Sequence, residues 1–137
     1  MIVIKTAHNA VRVDDLLAAL LSRLLQHRRK TFTANRVALH TVFLKLKGDF
    51  APELSGVRFR DRGMFSESRS LDQAICNLEA AGLLHRKNQT PLYYEIDSAV
   101  HDVCDRFAAK RLNDCGVTKG RLDRMGDMLC SMLPRVA

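Results

Sequence analysis

The stretch FSESRSLDQAICNLEAAGLLHRKNQTPLYYEID, residues 65–97, predicts a helix that ends sharply and is followed by a β-hairpin. Ser70 and Gln73 have the spacing of a capping box at the helix start, and Ser68 is the alternative first residue. Gly82 lies where a helix-ending residue adopts the left-handed conformation. Apolar residues recur at helical spacing and form one predicted buried stripe: Leu71, Ala74, Ile75, Leu78 and Ala81.

The segment after Gly82 has the pattern of two short strands. Leu83 and Leu84 begin the first strand, residues 87–91 (KNQTP) form the turn, and residues 92–96 (LYYEI) form the second strand. Side chains of the second strand alternate with a period of two, which is typical of a strand with one face on the core. The two alternating sets are Leu92, Tyr94 and Ile96, and Tyr93, Glu95 and Asp97.

A leucine-rich helix is predicted near the start of the chain. It begins at Asp14 or Asp15 and ends near Arg29, and its leucines form a wide apolar stripe. The basic residues 27–30 (HRRK) follow at its end, where the helix dipole is negative. A short strand is expected earlier, at residues 2–4.

A second helix is predicted over residues 34–47, with Thr33 as its cap and Gly48 as its end. The link at residues 29–33 is too short for a strand, so we expect none between the first two helices.

Residues 49–65 are predicted to form a loop with one helical turn at residues 52–54 and a short strand at residues 57–59. Three arginines alternate in this loop, which places three cations on one side of an extended segment: Arg58, Arg60 and Arg62.

Two more helices are predicted after the hairpin. The first begins at Asp97 or Ser98 and ends at Gly116, and the second covers residues 120–133 and is stopped by Pro134. Both have an apolar stripe at helical spacing. The stripe residues are Val100, Val103, Cys104, Phe107 and Leu112 in the first helix, and Leu122, Met125, Leu129 and Met132 or Leu133 in the second.

The composition is that of one globular domain with room for an appendage. The chain has 137 residues, of which 47% are hydrophobic and 27% are charged, enough to bury a core. The formal net charge of +7 favours an acidic partner such as nucleic acid. We expect no signal peptide and no transmembrane span, because the apolar runs are short or interrupted by charge.

The sequence predicts neither catalysis nor a cofactor. Four cysteines have no CxxC pair and no zinc-like spacing, which indicates a reducing, cytoplasmic environment: Cys76, Cys104, Cys115 and Cys130. His101 and Cys104 lie three apart on a predicted helix, but no third ligand lies at a suitable spacing. Nucleotide-binding loops, metalloprotease motifs and nucleophile elbows are absent from the sequence.

Residues 71–86 (LDQAICNLEAAGLLHR) and 91–96 (PLYYEI) resemble the third helix and the wing of a winged helix-turn-helix domain, as in many bacterial transcription regulators. The resemblance implies a mainly α fold with a small β-hairpin. It implies a winged-helix-like domain at residues 1–97 with an N-terminal helical extension, and C-terminal helices at residues 98–137 that pack or dimerise. The matching residues, which close the helix and open the hairpin, are Leu78, Glu79, Gly82, Leu83 and Leu84.

The resemblance also implies a surface for double-stranded DNA and the seam of a homodimer. Base edges would be contacted by Arg69, Gln73 and Asn77. Phosphates would be contacted by Arg86 and Lys87 on the wing, and by the loop arginines Arg58, Arg60 and Arg62 if they flank the helix. The seam would consist of Val100, Val103, Phe107, Leu122, Met125 and Leu129.

Two functions from different classes stay open. The first is a small winged-helix DNA-binding protein that regulates transcription, favoured by the net charge and the basic hairpin. The second is a non-catalytic protein-interaction module on the same scaffold, such as an antitoxin-like inhibitor or a subunit of a larger defence complex. Three acids on the exposed side of the third helix would repel phosphates and favour the second function: Glu67, Asp72 and Glu79.

Overall fold

The computed structural model describes residues 10–134. They form a mainly helical fold with a three-stranded antiparallel sheet and a separate two-stranded hairpin. In chain order the elements are α1 (Val13–Gln26), β1 (Thr31–Thr33), α2 (Arg36–Asp49), β2 (Arg60–Asp61), β3 (Ser66–Glu67), α3 (Arg69–Ala80), β4 (Leu84–Lys87), β5 (Tyr93–Ile96), α4 (Ala99–Val103), a π-helical segment (Cys104–Ala108), α5 (Ala109–Asp114) and α6 (Lys119–Met132). The strand predicted at residues 2–4 lies outside the described residues.

Helix α1 lies at the centre of the fold. Residues 15–22 and Leu24 are buried, and α3, α4, the π-helical segment, α5 and α6 pack around this helix. The helix begins at Val13, so Asp14 and Asp15 lie in the first turn and neither is the cap. Their carboxylates are still favourable there, because the N-terminus of a helix is the positive end of its dipole.

Arg29 has a different role from the one expected for residues 27–30. Its guanidinium group is buried and donates to the carbonyl oxygens of Cys130, Leu133 and Pro134 at 2.6–2.8 Å. Carbonyls in the last turn of a helix have no intrahelical partner and need donors from elsewhere. Arg29 therefore closes the C-terminus of α6, whereas α1 ends earlier, at Gln26.

The expectation that no strand separates the first two helices was wrong. Strand β1 lies there and pairs antiparallel with β5, with Phe32 opposite Tyr94, so the sheet order is β1-β5-β4. The rings of Phe32 and Tyr94 lie 5.4 Å apart. Three residues suffice for this strand because β5 supplies the hydrogen-bonding partner and aromatic cross-strand pairs stabilise a sheet.

Helix α2 begins two residues later than predicted. Its cap is Asn35, whose side-chain oxygen accepts the Ala38 N–H at 3.0 Å, whereas the Thr33 hydroxyl accepts the Asn35 N–H. The helix continues through Gly48 and ends at Asp49, because Gly48 keeps helical geometry and the chain leaves the helix at buried Phe50.

The α2–α3 connection contains turns at residues 51–56 and the short hairpin formed by β2 and β3. The strand predicted at residues 57–59 lies slightly later, at Arg60–Asp61. Leu54 and Val57 are buried and fix this connection to the core, and the Lys47 ammonium group donates to the Val57 carbonyl oxygen at 2.8 Å.

The helix and the hairpin after it are confirmed, but the turn lies one residue later than predicted. Lys87 belongs to β4, and Leu92 lies before β5 and is 42% exposed. Of the two predicted starts for α3, Ser68 is the cap, and its hydroxyl accepts the Leu71 N–H at 3.3 Å. Gly82 has a φ of +79°, and the Leu83 N–H donates back to the Leu78 carbonyl oxygen, which closes the helix end. The predicted stripe is buried except for Ala81, which is exposed at the helix end.

The C-terminal helices share one hydrophobic core with α1 and α3. This corrects most of the predicted dimer seam, because Val100, Leu122, Met125 and Leu129 are buried within the single chain and are not available to a partner. Val103 is half-buried, and Phe107 is 51% exposed, so only these two stay candidates for a seam. Within residues 10–134, no helix has the length and apolar character needed to cross a membrane.

Candidate nucleic-acid interface

A buried carboxylate organises three arginines just before α3. Glu67, only 8% exposed, accepts hydrogen bonds from Arg36 at 2.8 Å and Arg60 at 3.1 Å, and lies 3.3 Å from the Arg62 guanidinium group. We call these four residues the Glu67 cluster. The Arg36 hydrogen bond is the main reason why the pKa of Glu67 falls to about 2, so this carboxylate stays ionised at neutral pH.

The register of the β2–β3 hairpin brings the Glu67 cluster together. Arg60 on β2 is directly opposite Glu67 on β3, and Arg62 follows β2 at the turn. Arg36 comes from the first turn of α2, far away in sequence. The three arginine side chains keep 43–53% of their surface exposed, so each can bind the carboxylate and still reach a ligand in solvent.

Asp72 forms a second pair with a buried histidine. The backbone N–H of Ser68 donates to Nδ1 of His40, so the ring proton lies on Nε2, which donates to Asp72 at 2.8 Å. Arg36 also binds Asp72, at 2.6 Å. Burial alone would raise the pKa of Asp72, but the hydrogen bonds from Arg36 and His40 outweigh burial and hold the pKa below its ordinary value.

These contacts change the electrostatics expected for α3. Glu67 lies buried on β3 rather than on the exposed side of the helix, and Asp72 is neutralised by Arg36. Arg58 and Arg69 are exposed, and neither forms an ion pair within residues 10–134. The start of α3 is therefore surrounded by five arginines, and two of its carboxylates, Glu67 and Asp72, are already paired. Asp61 accepts only the Gly63 N–H, and Glu79 forms no ion pair within residues 10–134.

The amide side chains of α3 divide into two roles. Asn77 donates to the Asp14 carboxylate at 3.0 Å, which ties α3 to the first turn of α1. Gln73 donates to the Asn77 side-chain oxygen at 2.9 Å and stays exposed. The structure thus brings Arg69 and Gln73 together on the outer face of the helix and turns Asn77 towards α1.

The two cations of the hairpin lie on opposite faces of the sheet. Arg86 is opposite Tyr94 in the β4–β5 register, and both side chains line a cavity against α3. Lys87, the next residue, points the other way and lies 3.7 Å from the Glu95 carboxylate. The expected pair of phosphate contacts on the wing is therefore divided between two surfaces.

Sequence reasoning missed Arg36 and His40 as members of this region. They are four residues apart on α2 and so share a helix face, and both contact Asp72. That i, i+4 spacing was the available signal. The acidic partner lies more than thirty residues later in the chain, so nothing local indicated which face of α2 was involved.

His101 and Cys104 do not form a reactive pair with each other. His101 Nδ1 lies 2.7 Å from the Ser22 hydroxyl, and burial raises the pKa of the Cys104 thiol, which disfavours the thiolate. Among residues 10–134, no group of three or more His, Cys, Asp or Glu side chains could hold a metal ion.

The arginines at the start of α3 are the part of the described surface best suited to bind a charged partner. Its exposed guanidinium groups can neutralise phosphates and bind them in a fixed geometry. Comparison with models of protein families, with curated proteins and with solved structures found no match to this chain. A function therefore has to be argued from the fold and from these contacts.

Proposed function

We propose that this protein is a winged-helix protein that binds double-stranded DNA at the start of α3 and regulates transcription. The element order α1-β1-α2-α3-β4-β5 supports the proposal, because a winged helix has a short strand between its first two helices, then two helices and the wing. The pairing of β1 with β5 holds the hairpin next to the end of α3. The β2–β3 hairpin is an addition to that plan.

The observation that carries the proposal is the Glu67 cluster. A patch of arginines alone would be dispersed by mutual repulsion, but a buried carboxylate holds Arg36, Arg60 and Arg62 together with half of each side chain in solvent. Neutralising DNA phosphates with such groups releases counterions, which is the main source of non-specific DNA affinity. Preorganised guanidinium groups lose less side-chain entropy when they bind.

The positions of the basic and amide side chains determine the role that each would have in DNA binding. Arg58, Arg60 and Arg62 in the α2–α3 connection would contact the backbone, while Arg69 and Gln73 on the outer face of α3 would reach base edges. Asn77 loses its predicted role as a base contact, because its amide group is bound to Asp14.

The proposal is tested by titrating the protein into fluorescently labelled random-sequence duplex DNA at low and moderate salt. We expect a dissociation constant on the order of 10⁻⁶ to 10⁻⁴ M that rises steeply with salt. A weak salt dependence, or no binding even at low salt, would overturn it. The Glu67→Gln variant distinguishes the arrangement of the arginines from the net charge, because it raises the net charge by one but removes the carboxylate that holds the arginines.

The alternative, a protein-interaction module, is favoured by a different surface. Val37 and Leu44 are seven residues apart on α2, so they share a helix face, and they are 48% and 40% exposed. Large apolar side chains at helical spacing in solvent are typical of contact surfaces. If DNA binding is absent while Leu44→Lys abolishes a concentration-dependent association in sedimentation velocity, this second function replaces the first.

A further inference from the structure

A cavity of about 250 Å³ lies between the start of α2, the middle of α3 and the face of the β4–β5 hairpin that faces α3. Its apolar floor includes Leu39 and Ile75. Its polar wall consists of Arg36, His40, Asp72, Cys76, Arg86 and Tyr94. This volume is just below the usual range of sites for drug-sized molecules, so it suits a small ligand rather than a nucleotide cofactor.

The Tyr94 hydroxyl group is the clearest sign that the cavity takes a ligand. Tyr94 is 8% exposed, and its hydroxyl forms no hydrogen bond with the side chains or backbone of residues 10–134. Every fully buried side-chain polar atom in that part of the chain does have a partner, so this hydroxyl keeps some contact with solvent. Arg86, Cys76 and Asp72, which also line the cavity, are close enough to affect its pKa. Burial raises the pKa of Tyr94, which keeps the hydroxyl protonated and able to donate.

Two guanidinium groups that line the same cavity have N–H donors with no partner in the described residues. Arg86 lies opposite Tyr94 across the strands and has no ion pair within the described part of the chain. Arg36 uses Nε and Nη2 on Asp72 and Glu67, while Nη1 forms no hydrogen bond within residues 10–134. The side chains of Arg36, Arg86 and Tyr94, each with a donor to offer, thus line one cavity.

The charge of the cavity favours an anion. Asp72 is the single carboxylate that lines it in the described residues, and it is bound by both Arg36 and His40. His40 accepts the Ser68 N–H through Nδ1, so its ring is neutral and adds no charge. Arg36 is shared between Asp72 and Glu67, so Arg86 is the lining cation that has no carboxylate partner in the described residues. Glu79 is a further acid, close enough to raise the pKa of the Tyr94 hydroxyl.

We propose that this cavity binds a phosphate group. Tetrahedral phosphate has several acceptor oxygens, and guanidinium groups bind it through parallel, charge-assisted hydrogen bonds. The Tyr94 hydroxyl adds a neutral donor from the polar wall of the site. The phosphate belongs either to a small phosphate monoester or to the DNA backbone, and the chemistry of recognition is the same for both. This phosphate site is independent of the proposed DNA-binding function.

The test is a titration of the ¹⁵N-labelled full chain with inorganic phosphate at constant ionic strength, followed by NMR. We expect saturable shifts at Tyr94, Cys76 and the Arg86 side chain. Tyr94→Phe and Arg86→Gln should each weaken binding about tenfold, because each removes a hydrogen bond to a charged group. Lys87→Gln is the matched control: it removes one positive charge from the same strand on the opposite face, and should change affinity less than twofold.

Unsaturable shifts, or equal losses from Arg86→Gln and Lys87→Gln, would mean general charge attraction and would overturn the site. Competition then assigns the source of the phosphate. Tighter binding of glycerol 3-phosphate than of inorganic phosphate assigns the site to a small molecule, whereas displacement of phosphate by a short duplex assigns it to the DNA backbone. If neither competes with inorganic phosphate, the cavity binds an adventitious ion only and the proposal of a site for a phosphate group fails. The first titration contains no DNA, so its failure is distinct from failure of DNA binding.

Discussion

The start of α3 and the β4–β5 hairpin contain similar groups in different surroundings. Each has a histidine–aspartate pair and basic residues, but His40 is completely buried whereas the His85 side chain is 42% exposed. At α3, buried Glu67 holds three arginines together, and on the hairpin, Lys87 pairs with half-exposed Glu95. Similar sequence chemistry therefore gives an organised cluster in one region and separate surface charges in the other.

The difference shows that burial decides what an ion pair can do. Exposed pairs contribute about 0–1 kcal/mol, because water competes for both partners and the side chains lose entropy. A carboxylate removed from water must be paired, so its partners are held in fixed positions. The β4–β5 hairpin therefore offers separate hydrogen-bond donors, whereas the start of α3 offers several guanidinium donors in a fixed arrangement.

The largest expected effect is on stability, and it separates the two histidines. His40→Ala removes the acceptor for the Ser68 N–H and the donor to Asp72 and leaves a cavity, so we expect a loss of about 3 kcal/mol in the free energy of unfolding. His85→Ala should cost less than about 1 kcal/mol, because its pair is exposed to solvent. Urea unfolding measures the free energy of unfolding of both variants. Equal losses would contradict the claim that burial makes the His40 pair more important than the His85 pair.

The second effect is on the pH dependence of stability. The pKa of Glu67 is lowered from 4.5 to about 2, so its contribution is complete above about pH 4.5 and is lost as the pH falls towards 2. Glu67→Gln should remove this part of the acid dependence and flatten the profile between those values. Glu95→Gln, on the hairpin, should leave the profile as it is in the wild type. Unfolding free energies measured from pH 2 to 6 would contradict this if both variants kept the wild-type slope.

A smaller effect is expected in DNA binding. Replacing both Arg60 and Arg62 by Gln should reduce the slope of log affinity against log salt by about 2, since each phosphate contact contributes about 0.9. Lys87→Gln should reduce it by less than 1, because Glu95 already offsets that charge. Lys110→Gln with Arg124→Gln removes two exposed cations elsewhere and should leave the slope unchanged. If the two double variants changed the slope equally, DNA binding would depend on total charge and not on the arginines near Glu67.

The smallest effect concerns sequence preference. Gln73→Ala should alter the preferred DNA sequence with little change in affinity, whereas Asn77→Ala should not alter it, because that amide is bound to Asp14. Asn77→Ala should instead cost less than about 1 kcal/mol of stability. Selection from a randomised duplex library tests both, and an altered preference in Asn77→Ala would restore its predicted role.

The helix-to-hairpin stretch could be predicted because its signals are local. Ser68, Gly82 and the alternating residues of β5 each act over a few positions, and the structure confirms them. Strand β1 could not be predicted in the same way. Three residues become a strand only because β5, sixty residues later, provides their partner.

The Glu67 cluster and the burial of most of the predicted dimer seam were harder to predict from the sequence, because both depend on contacts between distant elements. The Glu67 cluster depends on Arg36 meeting an acid on a different element, which no local pattern specifies. The seam residues Val100 and Met125 do form apolar stripes, as predicted, but a stripe does not say what covers it. Here α1 covers both stripes within one chain.

The most direct test of the central claim is a map of backbone amide shifts when a random-sequence duplex is added at low salt. We expect the changes to centre on the β2–β3 hairpin and the first two turns of α3, with smaller changes on the β4–β5 hairpin and none on α5 and α6. An undisturbed spectrum, or changes centred on the exposed face of α2 around Val37 and Leu44, would contradict DNA recognition by the arginines around Glu67.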